Sequence, residues 1–252
     1  MDPFVRTEEI KAGIAVITFY HPAHNSLPGD ILAQLAEAIT KAGQDDEIKV
    51  IILKSGGDRT FCAGASFDEL IAINDFETGK EFFMGFANVI NACRKCPKFI
   101  IGRVQGKAVG GGVGLAAAVD YCLASKYAAV KLSELAVGIG PFVVGPAVER
   151  KIGTSAFSQL TINATEFQSS QWAKDKGLYA EVYDWPEELD KAILELADKL
   201  LASNPEAQRM LKEVIWKGTE DWDELLEKRA EMSGRLVLSD YTKTALARFD
   251  KK

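Results

Sequence analysis

Residues 104–120 read VQGKAVGGGVGLAAAVD, three consecutive glycines between a short apolar run and an alanine-rich stretch, with no charged side chain from Val109 to Val119. Glycine carries no Cβ, so another chain segment can approach its backbone closely, and the first amides of a helix starting there lack internal acceptors. The run therefore calls for a fold in which a strand hands over to a helix inside a packed interior. Two uses stay open at this point: close helix–strand packing, or N–H groups aimed at an acceptor atom.

The surrounding pattern supplies such a fold. GIAVITFY (residues 13–20) and VIILK (50–54) have the β-branched and aromatic character of strands, and an amphipathic helical pattern at 31–42 separates them. The theme recurs: residues 61–73 open as a loop and turn helical, 80–94 are helical, and FIIGRV (99–104) is a strand feeding the glycines. A third round has a helix over 112–119 and strands around 121–125 and 129–132. Repeated β–β–α or β–α units bury parallel strands under helices and gather loops at strand C-termini, where α/β sites form. From about Ser155 onward polar-faced helices dominate, at 168–177, 186–202, 205–217, 221–238 and 240–249. The dense charge of residues 223–235 reads as a solvated helix face or an oligomer rim.

A chain of 252 residues builds one large domain, or one domain with a helical appendage. Its net charge of −6 argues against a nucleic-acid partner, which needs a basic surface. No apolar run approaches ~18 residues. The N-terminal MDPFVRTEEI lacks the pattern of a secretory signal or a presequence, so a cytoplasmic protein without membrane association is expected. Cys62, Cys93, Cys96 and Cys122 are too few and too scattered for a disulfide scaffold, and reduced thiols are expected. Cys93 and Cys96 form a CxxC with no second pair or histidine pair beside it, so neither redox chemistry nor a metal site is assigned.

Two glycine-bearing loops end just before helical patterns: FCAGASF (61–67) and the triple glycine Gly110 to Gly112. Backbone N–H groups converging from two such loops make an oxyanion hole, in which one donor can be worth ~3 kcal/mol to a transition state. The glycine run does not satisfy GxGxxG with a downstream ribose-binding acid, and no Walker A motif is present. A serine hydrolase needs a GxSxG elbow and a histidine, whereas His21 and His24 both fall in a turn after the first strand.

PAHNSL (22–27), FCAGA (61–65), VQGKAVGGG (104–112) ahead of Leu115 and Asp120, and SEL (133–135) through Gly138 to Gly153 resemble, in this order, the crotonase superfamily, the enoyl-CoA hydratase/isomerase family. The resemblance covers the whole chain. It implies an α/β fold, a crotonase-like spiral of repeated β-β-α units over residues 1–195 with a helical C-terminal trimerisation region over 196–252, assembling as a homotrimer or a dimer of trimers. It implies an acyl-CoA thioester substrate, with coenzyme A part of that substrate and no separate metal, flavin or nicotinamide. By motif, the N–H groups of Ala65 and Gly111 would hold the thioester oxygen. Ala63 and Ala65 would lie along adenine and pantetheine, Ala23 and His24 would line the nucleotide side, and Phe67, Gly111, Pro141 and Phe142 would complete the residues that bind the CoA and acyl parts of the substrate. Ser66 stands where the family usually has Asp, and Asp68 where several members have a basic residue.

The carboxylates distinguish reactions. Hydratases of this family carry one glutamate two residues after the triple glycine and a second about twenty residues on. Here those positions are Gly114 and Glu134, so a single acid/base remains. Syn hydration divides its work between two groups. Moving a double bond from C3 to C2 needs only one carboxylate, and family isomerases resemble this chain in keeping the second glutamate and a segment like Gly138 to Phe142. Apolar neighbours Leu132, Leu135, Ala136 and Val137 should raise the pKa of Glu134. Asp120 is read as structural and Glu149 as solvated. The leading expectation is a 3-enoyl-CoA to 2-enoyl-CoA isomerase with Glu134, Ala65 and Gly111 catalytic. A hydratase, including a branched methylglutaconyl type, or an acyl-CoA decarboxylase is the alternative, and a non-catalytic acyl-CoA-binding trimer is the reading from another class.

Overall fold

The apolar runs become the strands of one central sheet in the structure, a computed structural model that describes residues 1–249. In chain order the elements are β1 (Phe4–Lys11), β2 (Ile14–Tyr20), β3 (Ser26–Leu27), α1 (Gly29–Gln44), β4 (Val50–Ser55), β5 (Thr60–Cys62) and β6 (Gly64–Ala65). Next come α2 (Phe67–Ala72), α3 (Phe76–Lys95), β7 (Phe99–Val104), β8 (Lys107–Val109), α4 (Gly111–Ala118), β9 (Tyr121–Ser125), β10 (Val130–Lys131) and a 3-10 turn over Glu134–Val137. The remainder is α5 (Gly145–Ile162), α6 (Ser170–Asp175), β11 (Glu181–Tyr183), α7 (Pro186–Leu201), α8 (Pro205–Ile215), α9 (Trp222–Leu236) and α10 (Asp240–Phe249).

The six-stranded sheet has the order β1-β2-β4-β7-β9-β11, parallel throughout except for β1, which pairs antiparallel with β2 at the edge. Parallel strands need cover on both faces, and the alternation along them supplies it. Ala15, Ile17, Phe19, Ile51 and Leu53 join α1, α3 and α4 in the larger core. Ile14, Val16, Val50 and Ile52 face the other way, onto Leu189, Ile193 and Ala197 of α7. The junction expected between residues 195 and 196 therefore lies inside a continuous helix that belongs to the sheet's second face. Two small parallel sheets, β10-β8-β5 and β3-β6, stack the loops that follow their strands.

β1 is a strand that the sequence pattern did not single out, because FVRTEEIK lies on the sheet edge and exposes its polar side chains. The dense charge of 223–235 is only partly a solvated face. Trp222, Leu226, Ala230, Ser233 and Gly234 are the buried residues of α9, and α9 packs on α3 of the same chain. Lys80 Nζ reaches Glu227 at 2.6 Å and Glu231 at 3.1 Å, and Arg94 reaches Asp223 at 2.8 Å.

Asp120 has the structural role expected of it. Its carboxylate accepts from the Ile100 N–H (2.8 Å), Lys212 Nζ (2.9 Å) and Trp216 Nε1 (2.7 Å), tying α8 to the end of α4 and the start of β7. Lys212 is 2% exposed and also donates to the Lys98 carbonyl. The inward side of α8 thus carries Gln208 and Lys212, while Met210, Leu211, Val214 and Ile215 are exposed. Among the described residues no helix is long and apolar enough to cross a membrane.

Candidate active site

Three parallel strands end side by side and deliver the residues singled out from the sequence. β5 runs out into Ala63, Gly64 and Ala65, β8 into Gly110 and Gly111, and β10 into Ser133 and Glu134. The joints are made of glycine for identifiable reasons. Gly110 has φ +53°, and a Cβ there would lie 3.0 Å from Glu134 Oε1. A Cβ on Gly111 would enter the Phe86 ring at 2.3 Å, and one on Gly112 would meet the Cys62 carbonyl at 2.4 Å. Gly64, at φ +97°, is so close to the second loop that its Cβ would sit 3.7 Å from Gly111 N. Both uses foreseen for the triple glycine are thus compatible: it is tightly packed, and it opens α4 against the other loop.

One cavity joins these loops. Ala63, Ala65, Phe67, Gly111, Glu134, Pro141 and Phe142 all line it. Ala23 and His24 do not. They lie exposed in the turn after β2, held near the site because Asn25 Nδ2 donates to the carbonyls of Gly56 and Thr60 and the Ala63 N–H donates to the Asn25 carbonyl. The opposite wall, which the motifs did not reveal, consists of Leu70 from α2, Phe82, Phe83 and Phe86 from α3, and Ser233 from α9.

Glu134 is the sole ionisable side chain among the described lining residues. It begins the 3-10 turn, whose end at Gly138 (φ +83°) is clamped from the C-terminal region: the Thr242 hydroxyl donates to the Gly138 carbonyl at 3.0 Å. Its Oε2 is sealed from solvent and has no hydrogen-bond partner among the described residues. Desolvation by burial raises its pKa from the ordinary 4.5 to about 7. A carboxyl so placed accepts and returns protons near neutral pH.

The position of the expected first glutamate is closed. A Cβ on Gly114 would come within 2.5 Å of Val144 Cγ1 and 2.8 Å of its Cβ, so α4 and the segment leading into α5 touch where a side chain would emerge. Ser66, in place of the family's usual Asp, caps α2 by accepting the Glu69 N–H at 3.3 Å. Glu149 is half-buried and accepts the Thr154 hydroxyl at 2.6 Å, away from the cavity. Cys93 and Cys96 are buried free thiols.

Residues 9–252 match the family model described as enoyl-CoA hydratase/isomerase. The chain is 30% identical over 247 residues to the short-chain-enoyl-CoA hydratase of Clostridium acetobutylicum, covering 97% of this chain and 94% of that protein. It is 28% identical over 236 residues to the peroxisomal Delta(3,5)-Delta(2,4)-dienoyl-CoA isomerase of Arabidopsis thaliana, covering 87% and 83% of the two. The crystal structure of enoyl-CoA hydratase from Bacillus halodurans superposes with a TM-score of 0.89 at 23% identity, covering 97% of this chain and 99% of that one. The family model along nearly the whole length and the 30% identity to a family member over nearly all of both chains lead to one conclusion: the chain belongs to the enoyl-CoA hydratase/isomerase family.

Proposed function

We propose that the protein isomerises 3-enoyl-CoA to 2-enoyl-CoA, with Glu134 as the lone proton shuttle. The observation that carries this reading is the chemistry of the cavity: one carboxyl of raised pKa, two glycine-bearing loops and otherwise apolar or aromatic walls among the described residues. In the proposed cycle the Glu134 carboxylate takes a proton from C2, and the electron pair delocalises through C1–C4 as a dienolate. The N–H groups of Ala65 and Gly111 hold the negative thioester oxygen. Glu134 then returns the proton to C4 as the C2–C3 double bond forms and the thioester carbonyl is restored. The thioester is its own electron sink, so the cycle asks for no metal, flavin or nicotinamide.

Hydration is disfavoured in this reading because, among the described residues, no second carboxyl lines the cavity with Glu134 to share the handling of water. The exposed apolar row of α8 supports self-association, in the proposed reading as a homotrimer or a dimer of trimers, and light scattering tests it; four buried thiols suit the reducing cytoplasm. The reaction is tested by incubating the protein separately with 3-enoyl-CoA, 2-enoyl-CoA and 3-methylglutaconyl-CoA, following products by mass spectrometry and conjugated-thioester absorbance. Solvent deuterium at C4 that disappears in Glu134→Gln supports isomerisation. Fast hydration with negligible isomerisation overturns it in favour of a hydratase, and retained CoA-ester binding without turnover would leave a binding protein.

A further inference from the structure

We infer that α9 is the ruler of the acyl pocket: Ser233 ends the cavity and restricts this protein to uncharged acyl groups of short to medium length. The inference rests on the cavity being the acyl site of a thioester enzyme, as proposed above. Its geometry comes from α3. Phe86 abuts Gly111 at the reacting end, and Phe82 and Phe83 line the cavity one turn earlier. At Gly79, two turns from Phe86, α3 meets α9: a Cβ on Gly79 would lie 3.1 Å from Gly234 Cα, and one on Gly234 would lie 2.8 Å from Lys80 N. This glycine-to-glycine contact brings the two helix backbones together and sets the neighbouring Ser233, 1% exposed, into the cavity wall.

Seven residues of helix separate Phe86 from Gly79, a distance of about 10 Å, which an extended acyl chain of roughly eight carbons spans. The walls along this span are apolar and aromatic among the described residues. Val237 and Leu246 pack with Ile73 and Ile139, and Phe67, Leu70, Phe82 and Phe83 pack against that cluster. A terminal carboxylate on the acyl group would find no cation among the described lining residues, only Glu134, and an unpaired buried charge is strongly disfavoured.

Binding of saturated acyl-CoA esters, which cannot be isomerised or hydrated, tests the ruler separately from the reaction. By isothermal titration, affinity should rise from butanoyl- through hexanoyl- to octanoyl-CoA and fall at least tenfold at dodecanoyl-CoA. Glutaryl-CoA should bind at least tenfold more weakly than hexanoyl-CoA. In Ser233→Leu, octanoyl-CoA should weaken about tenfold while butanoyl-CoA stays within twofold, and Ser233→Val should show the same ordering more mildly. Dodecanoyl-CoA binding as tightly as octanoyl-CoA to the unmodified protein, or equal losses for both chain lengths in the variants, would overturn the inference without touching the isomerase reading. Failure of every CoA ester to bind would overturn both.

Discussion

Replacing Glu134 by Gln should stabilise the protein in a strongly pH-dependent way. The carboxyl is buried without a partner for Oε2 among the described residues, and its pKa rises from 4.5 to about 7 on folding. The raised value means that the folded chain holds the proton more tightly than the unfolded chain does. Below pH 4.5 both states are protonated and the group contributes no penalty. As pH rises from 4.5 toward 7 the unfolded chain ionises while the folded one keeps its proton, so stability falls; above about 7 both are ionised and the loss is complete. The full difference is about 3 kcal/mol, most of which falls between pH 5 and pH 8. Glutamine imitates the protonated carboxyl and carries no such dependence. Urea unfolding of both proteins at matched concentration should therefore show the Gln variant gaining roughly 2–3 kcal/mol on the parent between pH 5 and pH 8. A gain below about 1 kcal/mol would mean that water or a donor reaches the carboxylate, and the burial argument would fail. The same ionisation should appear in kcat/KM of the parent, rising with pH through an apparent pKa near 7.

Gly114→Glu alone should not create a hydratase, because its Cβ would collide with Val144; it should cost about 1–3 kcal/mol by overpacking, and thermal denaturation should show part of that loss recovered in Gly114→Glu/Val144→Ala. Lys212→Met strands the buried Asp120 carboxylate and should cost about 3–5 kcal/mol, read by denaturant unfolding, whereas adding Asp120→Asn should restore much of it.

The sheet was legible because β2, β4 and β7 are buried on both faces and hence spelled in β-branched residues. β1 escaped notice because Arg6 to Lys11 are exposed on both faces of this edge strand and Phe4 and Val5 are only part-buried, and β3 and β6 because two residues hold no periodicity. The cavity side formed by β-strand ends was readable, since positive φ and close contact force glycine at Gly64 and Gly110. Its aromatic wall was not. Phe82, Phe83 and Phe86 have the spacing of any helix packing on a core, and Ser233 sits in a helix whose abundant charge hides a buried stripe partly made of small residues. The signal that marks Ser233 is the pairing of Gly79 with Gly234, which is visible only once α3 and α9 are side by side. Ala23 and His24 followed from motif order alone, and the turn that carries them lies outside the cavity lining.

The four thiols give the molecule a set of internal clocks. Burial pushes Cys62 and Cys122 up to about 12 and raises Cys93 and Cys96 as well, so none is a thiolate at neutral pH while its surroundings stay closed. Their reaction with a disulfide reagent must then wait for the local structure to open. Cys62 reports on the loop beside the triple glycine, Cys122 on β9 next to the β11 edge of the sheet, and Cys93 and Cys96 on the end of α3. Comparing their labelling rates with and without an acyl-CoA ester would time how long each part of the site remains shut.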